Sequence, residues 1–290
     1  MMKWGVSIVL YICFFVPYNI IAQDDLEFFL DPLPQNNTVI NTFKSTRIIN
    51  NHSIEIFQPR QLDFRISHRF GRINSGIYEV YGLDQATIRI GLEYGVLKNL
   101  MMGIGRSSYK KTYDGYLKYL LLNQNRGIDN IPVSIVLFSN IAVNTLEKNY
   151  LNYPFFGRLS YCNQLLIGSK VNSELSLQFM PTWIHWNMVD LPDQKNQLFV
   201  LGGGLRYLIT RSVSINAEYF YRVSGSLIDK ETYYNSFSIG LDIETGGHVF
   251  QLHLTNSMSM NESGFITRTN GNWFDGGIHF GFNISREFNL

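Results

Sequence analysis

Residues 276–290 read GGIHFGFNISREFNL, and this stretch decides the fold. Its even positions are Ile278, Phe280, Phe282, Ile284, Arg286, Phe288 and Leu290; its odd positions are Gly277, His279, Gly281, Asn283, Ser285, Glu287 and Asn289. Successive side chains of a strand point to opposite faces, so one face here is apolar and the other small or polar. A soluble sandwich strand also alternates. The length, the small residues of the polar face and the aromatic close to the end favour the closing strand of a membrane barrel. Such a strand turns apolar side chains to lipid and polar ones to the lumen.

Outward from this stretch, the same alternation fills the chain from residue 61. Predicted strands cover 61–69, 86–94, 100–109, 115–122, 131–143, 156–169, 173–186, 197–209, 213–222, 236–243, 250–257 and 276–290. In the second, Ala86, Ile88, Ile90, Leu92 and Tyr94 oppose Thr87, Arg89, Gly91 and Glu93; in the ninth, Val213, Ile215, Ala217, Tyr219 and Tyr221 oppose Ser214, Asn216, Glu218 and Arg222. The expected fold is all-β: a transmembrane antiparallel up-and-down β-barrel of about 12 strands. The connections sort by length. Long ones (71–85, 110–114, 144–155, 187–196, 224–233 and 258–272) mostly alternate with short ones (95–99, 123–130, 170–172, 210–212 and 244–247). That is the asymmetry of an outer-membrane barrel whose termini both lie on the periplasmic side.

The chain opens with Lys3, an apolar run from Trp4 to Ile21 and a small residue, Ala22, before Asp24 and Asp25. This pattern predicts a cleaved secretory signal peptide over 1–22. Pro17 and Asn19 leave the run too short for a comfortable anchor, and Tyr11 and Ile12 before Cys13 argue against a lipoprotein. The mature chain would then hold one cysteine, Cys162, and no internal disulfide. Residues 23–60, with Pro32, Pro34, Pro59 and several asparagines, read as an irregular arm with at most a short strand at 54–57. It lies in the periplasm or folds into the lumen as a plug. Residues 61–290 form the barrel. A net charge of +1 excludes an electrostatic case for nucleic acid as a partner. Aromatic content of 14%, with 17 Tyr and 21 Phe, supplies the interfacial girdles of a barrel.

Alternation sends Asp63, Arg65, Arg69, Arg89, Glu93, Lys118, Glu218, Arg222, His253 and His279 inward. On the lipid face, Arg or Lys would cost roughly 2–4 kcal/mol each at mid-bilayer. The group reads either as a salt-bridged network filling a narrow barrel or as a selective lining for a small solute or ion. Arg106 falls on the apolar face with Met102 and Ile104. It sits at headgroup height, or a bulge at the adjacent glycines turns it inward. His253 and His279 share the lumenal face with Glu218 and Glu287, but the spacing is no recognised metal motif, and no metal or cofactor is expected. Gly202, Gly203 and Gly204 lack the helix and Lys of a phosphate loop and read as a bend or bulge in the wall. Lys110, Lys111, Asp114, Asp190, Asp193 and Lys195 read as solvated loop charges.

Several strings resemble a known family together: ISHRFG (66–71), YGLD (81–84), GIGRSSYKKTYDGYLKY (103–119), GGHVFQLHLTNS (246–257) and GFNISREF (281–288). They are similar to an uncharacterised outer-membrane β-barrel family of Bacteroidota, a domain of unknown function. The resemblance covers nearly the whole mature chain and implies an outer-membrane barrel, with no catalytic residues to carry over. The string His253-Leu254-Thr255-Asn256 is also similar to the His-x-Ser-Asn signature of outer-membrane phospholipases, where His activates Ser. Thr255 stands at the nucleophile position, and Thr without a special base is poorly nucleophilic.

The sequence therefore predicts a non-enzymatic outer-membrane barrel acting as a small channel or passive transporter. Outer-membrane lipid surrounds it, and barrel-assembly machinery engages its C-terminal strand. The alternatives are a closed barrel serving as a platform for a periplasmic or surface partner, and a lipid-modifying enzyme.

Overall fold

The computed structural model describes residues 37–128, 130–146, 154–189, 194–223, 233–245 and 247–290. The predicted signal peptide, arm residues 23–36 and the loop residues Asp190 and Asp193 lie outside the described residues. Twelve antiparallel strands close into a barrel. They are β1 (Gln61–Arg72), β2 (Ala86–Leu97), β3 (Leu100–Ser107), β4 (Thr112–Leu122), β5 (Ser134–Asn144), β6 (Leu159–Lys170), β7 (Leu175–Trp186), β8 (Gln197–Leu208), β9 (Val213–Arg222), β10 (Phe237–Thr245), β11 (His248–Thr255) and β12 (His279–Asn289). Each strand pairs with its neighbour in sequence, and β12 closes on β1 with Glu287 opposite Asp63 and Ser285 opposite Arg65. Closure pairs the backbone groups between strands and leaves no free edge, as a lipid environment demands. No helix among the described residues is long and apolar enough to cross a membrane; the strands do so.

The end of the barrel carrying Gln61 and Asn289 is the terminal end, and the opposite one the far end. Outward aromatics gather near both rims: Tyr94, Tyr119, Tyr207 and Phe288 toward the terminal end, Phe70, Tyr113, Phe199, Tyr221 and Phe280 toward the far end. These are the two girdles that interfacial aromatics build.

Several expected boundaries shift, each for a local reason. The fourth strand begins at Thr112, because Thr112, Asp114, Tyr116 and Lys118 continue one inward row. Asp114 is therefore a buried wall residue and not a solvated loop charge. The fifth strand begins at Ser134: Pro132 has no N–H to give to a ladder, and Ile131 instead bridges Asn125. A short 3-10 turn over Phe155–Arg158 delays the sixth strand to Leu159. Pairing is regular across Gly202–Gly204, so these glycines mark neither bend nor bulge. A Cβ at Gly204 would collide with Ile48; the glycine makes room for a segment inside the barrel.

That segment is residues 41–57. It holds no strand at 54–57; its ordered feature is a tight turn in which Arg47 bridges His52, with Ile48 N–H donating to Asn51 O at 2.8 Å and Ser53 N–H to Thr46 O at 2.9 Å. Residues 42–54 are almost all buried within the lumen. Before them, Asn37–Thr38 pairs with Asn125–Arg126 of the β4–β5 connection at the terminal end. From the far end, the β11–β12 connection also folds inward and carries α1 (Glu262–Thr267), every residue of which is buried. The expected outer loop over 258–272 is thus largely interior.

Candidate functional site: the plugged lumen

The inner wall divides by chemistry. Strands β1–β4 direct Asp63, Arg65, Arg69, Arg89, Glu93, Asp114 and Lys118 inward, all buried. Strands β5–β9 direct Val136, Phe138, Cys162, Leu166, Met180, Ile184, Val200 and Phe220 inward, and these form one apolar cluster with Phe43, Ile48, Ile49, Ile54 and Phe57 of the inner segment and Phe265 and Ile266 of α1. Strands β9–β12 add a mostly amide and hydroxyl wall with Asn216, Ser238, Gln251, Thr255 and Asn283, in which Glu218 and Asp242 are buried carboxylates.

The inner segment is held through its own backbone. Glu218 accepts the N–H groups of Asn50 at 2.9 Å and Asn51 at 3.1 Å. Gln178 donates to His52 O at 2.8 Å, Gln251 to Ile48 O at 3.0 Å and Asn283 to Ile49 O at 3.0 Å. Lys118 Nζ donates to Glu55 O. A turn outside any ladder leaves its backbone groups to be satisfied by side chains when water is excluded, and wall residues supply those partners.

The charged groups form a chain from wall to plug to far loop. Arg65 bonds Asp63 Oδ2 at 3.2 Å and approaches Glu93 Oε1 at 3.5 Å. Thr46 Oγ1 donates to Glu93 Oε2 at 2.5 Å and accepts from Arg65 Nη2 at 2.8 Å. Arg47 lies 3.8 Å from Glu93 and 3.0 Å from Glu262 of α1. Arg89 makes a two-pronged pair with Asp114, its Nε donating to Oδ1 at 2.9 Å. Arg69 reaches Asn50 Oδ1 at 2.6 Å. His52 sits between the rings of Tyr116 and Phe138, at centroid distances of 4.3 and 4.5 Å. Burial foremost, then the charges of Arg47, Lys118, Arg89 and Arg65, hold its imidazole well below the ordinary value. Its 3.4 Å approach to Glu262 is therefore a contact of a neutral ring and not an ion pair.

The structure places every predicted lumen-lining residue on the inward face but does not gather them into one site. Asp63, Arg65, Glu93 and Lys118 surround the plug; Glu218 and Arg69 hold its tip; Arg89 is taken up by Asp114. Arg222 stands apart near the far rim, its Nε on Asn235 Oδ1 at 3.3 Å. His279 and His253 lie on neighbouring strands, with His279 opposite Thr255 and His253 opposite Gly281. Glu218 is engaged by the plug, Glu287 lies at the terminal end of β12, and no group of three or more metal-ligating side chains occurs among the described residues. Thr255 Oγ1 is buried, accepts from Ser238 Oγ at 2.9 Å, and faces the lumen. Asn256 is occupied by Asn235 O and Gly271 O. Arg106 faces outward near the end of β3, with regular pairing at Gly103 and Gly105.

Sequence reasoning missed Arg47, Asn50, His52 and Glu262. Alternation finds wall residues, and none of these is on a wall. The one available signal was the density of polar residues at 41–53 with no strand or helix period to place them.

Among solved structures, the chain is similar to the KdgM porin (10% identity, TM-score 0.47, covering 79% of this chain and 99% of that one). It is similar to the NanC porin (8%, 0.47, 79% and 100%) and to outer membrane phospholipase A from Escherichia coli (10%, 0.43, 79% and 93%). These likenesses concern barrel architecture and bring no residue roles with them. No curated protein matches the sequence. The family DUF5777, described as a membrane bound beta barrel domain, matches residues 43–288, nearly all of the plugging segment included, and this chain belongs to that family.

Proposed function

We propose that this outer-membrane barrel is a solute passage closed at rest by its own inner segment, residues 41–57. The observation that carries the reading is the plug itself: Arg65, Arg69, Glu93 and Lys118 of the charged wall contact a segment of the same chain, and Arg89 is paired with Asp114, so these buried charges face no open lumen. Stability alone is a weak reason to retain such a wall, since buried ion pairs can often be replaced by apolar residues at no loss. A charged track that becomes available when the plug moves gives those residues a use, as charge rings do in selective channels. The terminal end, with its mostly shorter connections, is assigned to the periplasm, so the segment enters from the periplasmic side and meets the far loop at Arg47 and Glu262. The function is non-enzymatic: the Thr255 hydroxyl is buried in the lumen, whereas a phospholipid reaches the barrel from its outer face.

A second reading, a closed barrel serving as a partner platform, is favoured by the apolar half of the lumen. There Ile48, Ile49 and Ile54 are buried as in a folded core. Conductance in a planar bilayer separates the two. The gated reading expects few openings from the full chain and frequent, salt-dependent steps when Arg47→Ala and Glu262→Ala loosen the latch. Silence from both proteins, each shown to be folded, would leave the platform.

A further inference from the structure

The outer face of the barrel carries a groove of about 820 Å³ toward the far end, lined by Ile90, Ile104, Ile141 and Phe155 around Gly115. Gly115 opposes Ile104 on β3 and Ile141 on β5, on the lipid-facing side. Nothing in the fold requires glycine at this position. Its φ is not in the left-handed region, and a Cβ there would meet only ordinary contacts at 3.9 Å. The missing side chain therefore serves the groove and not the backbone.

Arg106 stands at the head of this groove, two residues along β3 from Ile104 on the same face and next to the strand end at Ser107. Its Nε donates to Tyr113 Oη at 3.1 Å, and its guanidinium carbon lies 5.4 Å from the Tyr113 ring centroid. No carboxylate pairs with it among the described residues. A guanidinium on the lipid face costs little only near the interface, where Tyr113 also belongs. Its remaining N–H groups form a planar fork that matches a phosphate.

We propose that this groove binds one phosphate-bearing membrane lipid, an acyl chain lying over Gly115 and the phosphate accepting hydrogen bonds from Arg106. Lipid is the occupant because the groove is continuous with the lipid-facing wall and puts a guanidinium with no carboxylate partner among the described residues at the height of the headgroups. This site is on the opposite side of the wall from the plug, so it stands or falls independently of the gating reading.

The test uses the full mature chain in detergent, with native mass spectrometry after addition of phosphatidylglycerol or of an uncharged galactosyl diacylglycerol with the same chains. One phosphatidylglycerol per barrel is expected to be retained, at least tenfold in preference to the galactolipid. Arg106→Gln should abolish that preference. Gly115→Leu, which fills the groove and leaves Arg106 in place, should lower retention of both lipids about tenfold. Heat-modifiable gel migration checks that each variant is folded. Equal retention of the two lipids by the wild type, wild-type behaviour of either variant, or a second copy of the chain occupying this face would each overturn the proposal.

Discussion

Between β1 and β4 the inner wall carries most of its charged groups; between β5 and β9 it carries the aliphatic and aromatic cluster, interspersed with Asn140, Gln164, Gln178, Thr182 and Arg206. One turn, residues 47–52, closes against both. Toward the charged side it presents Arg47 and the Asn50 amide, and the contacts are directional, with Glu262 at 3.0 Å and Arg69 at 2.6 Å. Toward the apolar side it presents Ile48 and Ile49, which pack in the cluster with Met180 and Phe220. Apolar burial is proportional to area and tolerant of small displacements. A buried charge is not: moved from its partner, it keeps its desolvation cost and loses the compensation. The apolar half therefore supplies adhesion, and the charged half fixes where the plug sits.

The contrast makes ordered predictions. Arg47→Ala should have the largest effect, about 3–5 kcal/mol of lost stability, because it removes the guanidinium 3.0 Å from the buried Glu262 carboxylate; urea titration of the folded barrel measures it. Ile48→Ala should cost roughly 2–5 kcal/mol by the same titration, from lost burial plus the cavity left above Gly204. If it equals Arg47→Ala in loss yet leaves the plug position unchanged in cross-linking between residue 50 and residue 218, the division of labour is upheld. Lys44→Ala removes a pair with Glu244 at 2.5 Å near the terminal mouth, where both side chains are partly exposed. A loss of no more than about 1 kcal/mol is expected. Smallest of all should be the double replacement Arg89→Met with Asp114→Leu. Removing both members at once should be near neutral for stability, although Asp114→Ala alone should approach the cost of Arg47→Ala. A large loss in the double variant would show that this pair supports the wall in a way the apolar half does not.

Legibility followed the same line. Period-two alternation placed all twelve strands and named Asp63, Arg65, Arg69, Arg89, Glu93 and Lys118 as inward-facing. It put Arg106 on the apolar face and left open a bulge that would turn it inward; regular pairing at Gly103 and Gly105 keeps it outside. It misread Asp114 as a loop charge, because strand ends carry the weakest pattern and the turn residues Lys110 and Lys111 looked continuous with it. It took the glycines at 202–204 as a bend, because a glycine that makes room for a distant side chain looks the same in sequence as one that turns the backbone.

What the sequence by itself determined is which side of the wall a residue in the body of a strand faces, since that follows from local backbone geometry and from the cost of charge in lipid. Only the tertiary structure decided that the lumen is filled, that its walls divide into charged and apolar halves, and that Arg47 meets Glu262. Those facts depend on contacts between residues as much as 234 positions apart, and no periodicity within a strand encodes which distant segment will supply the partner.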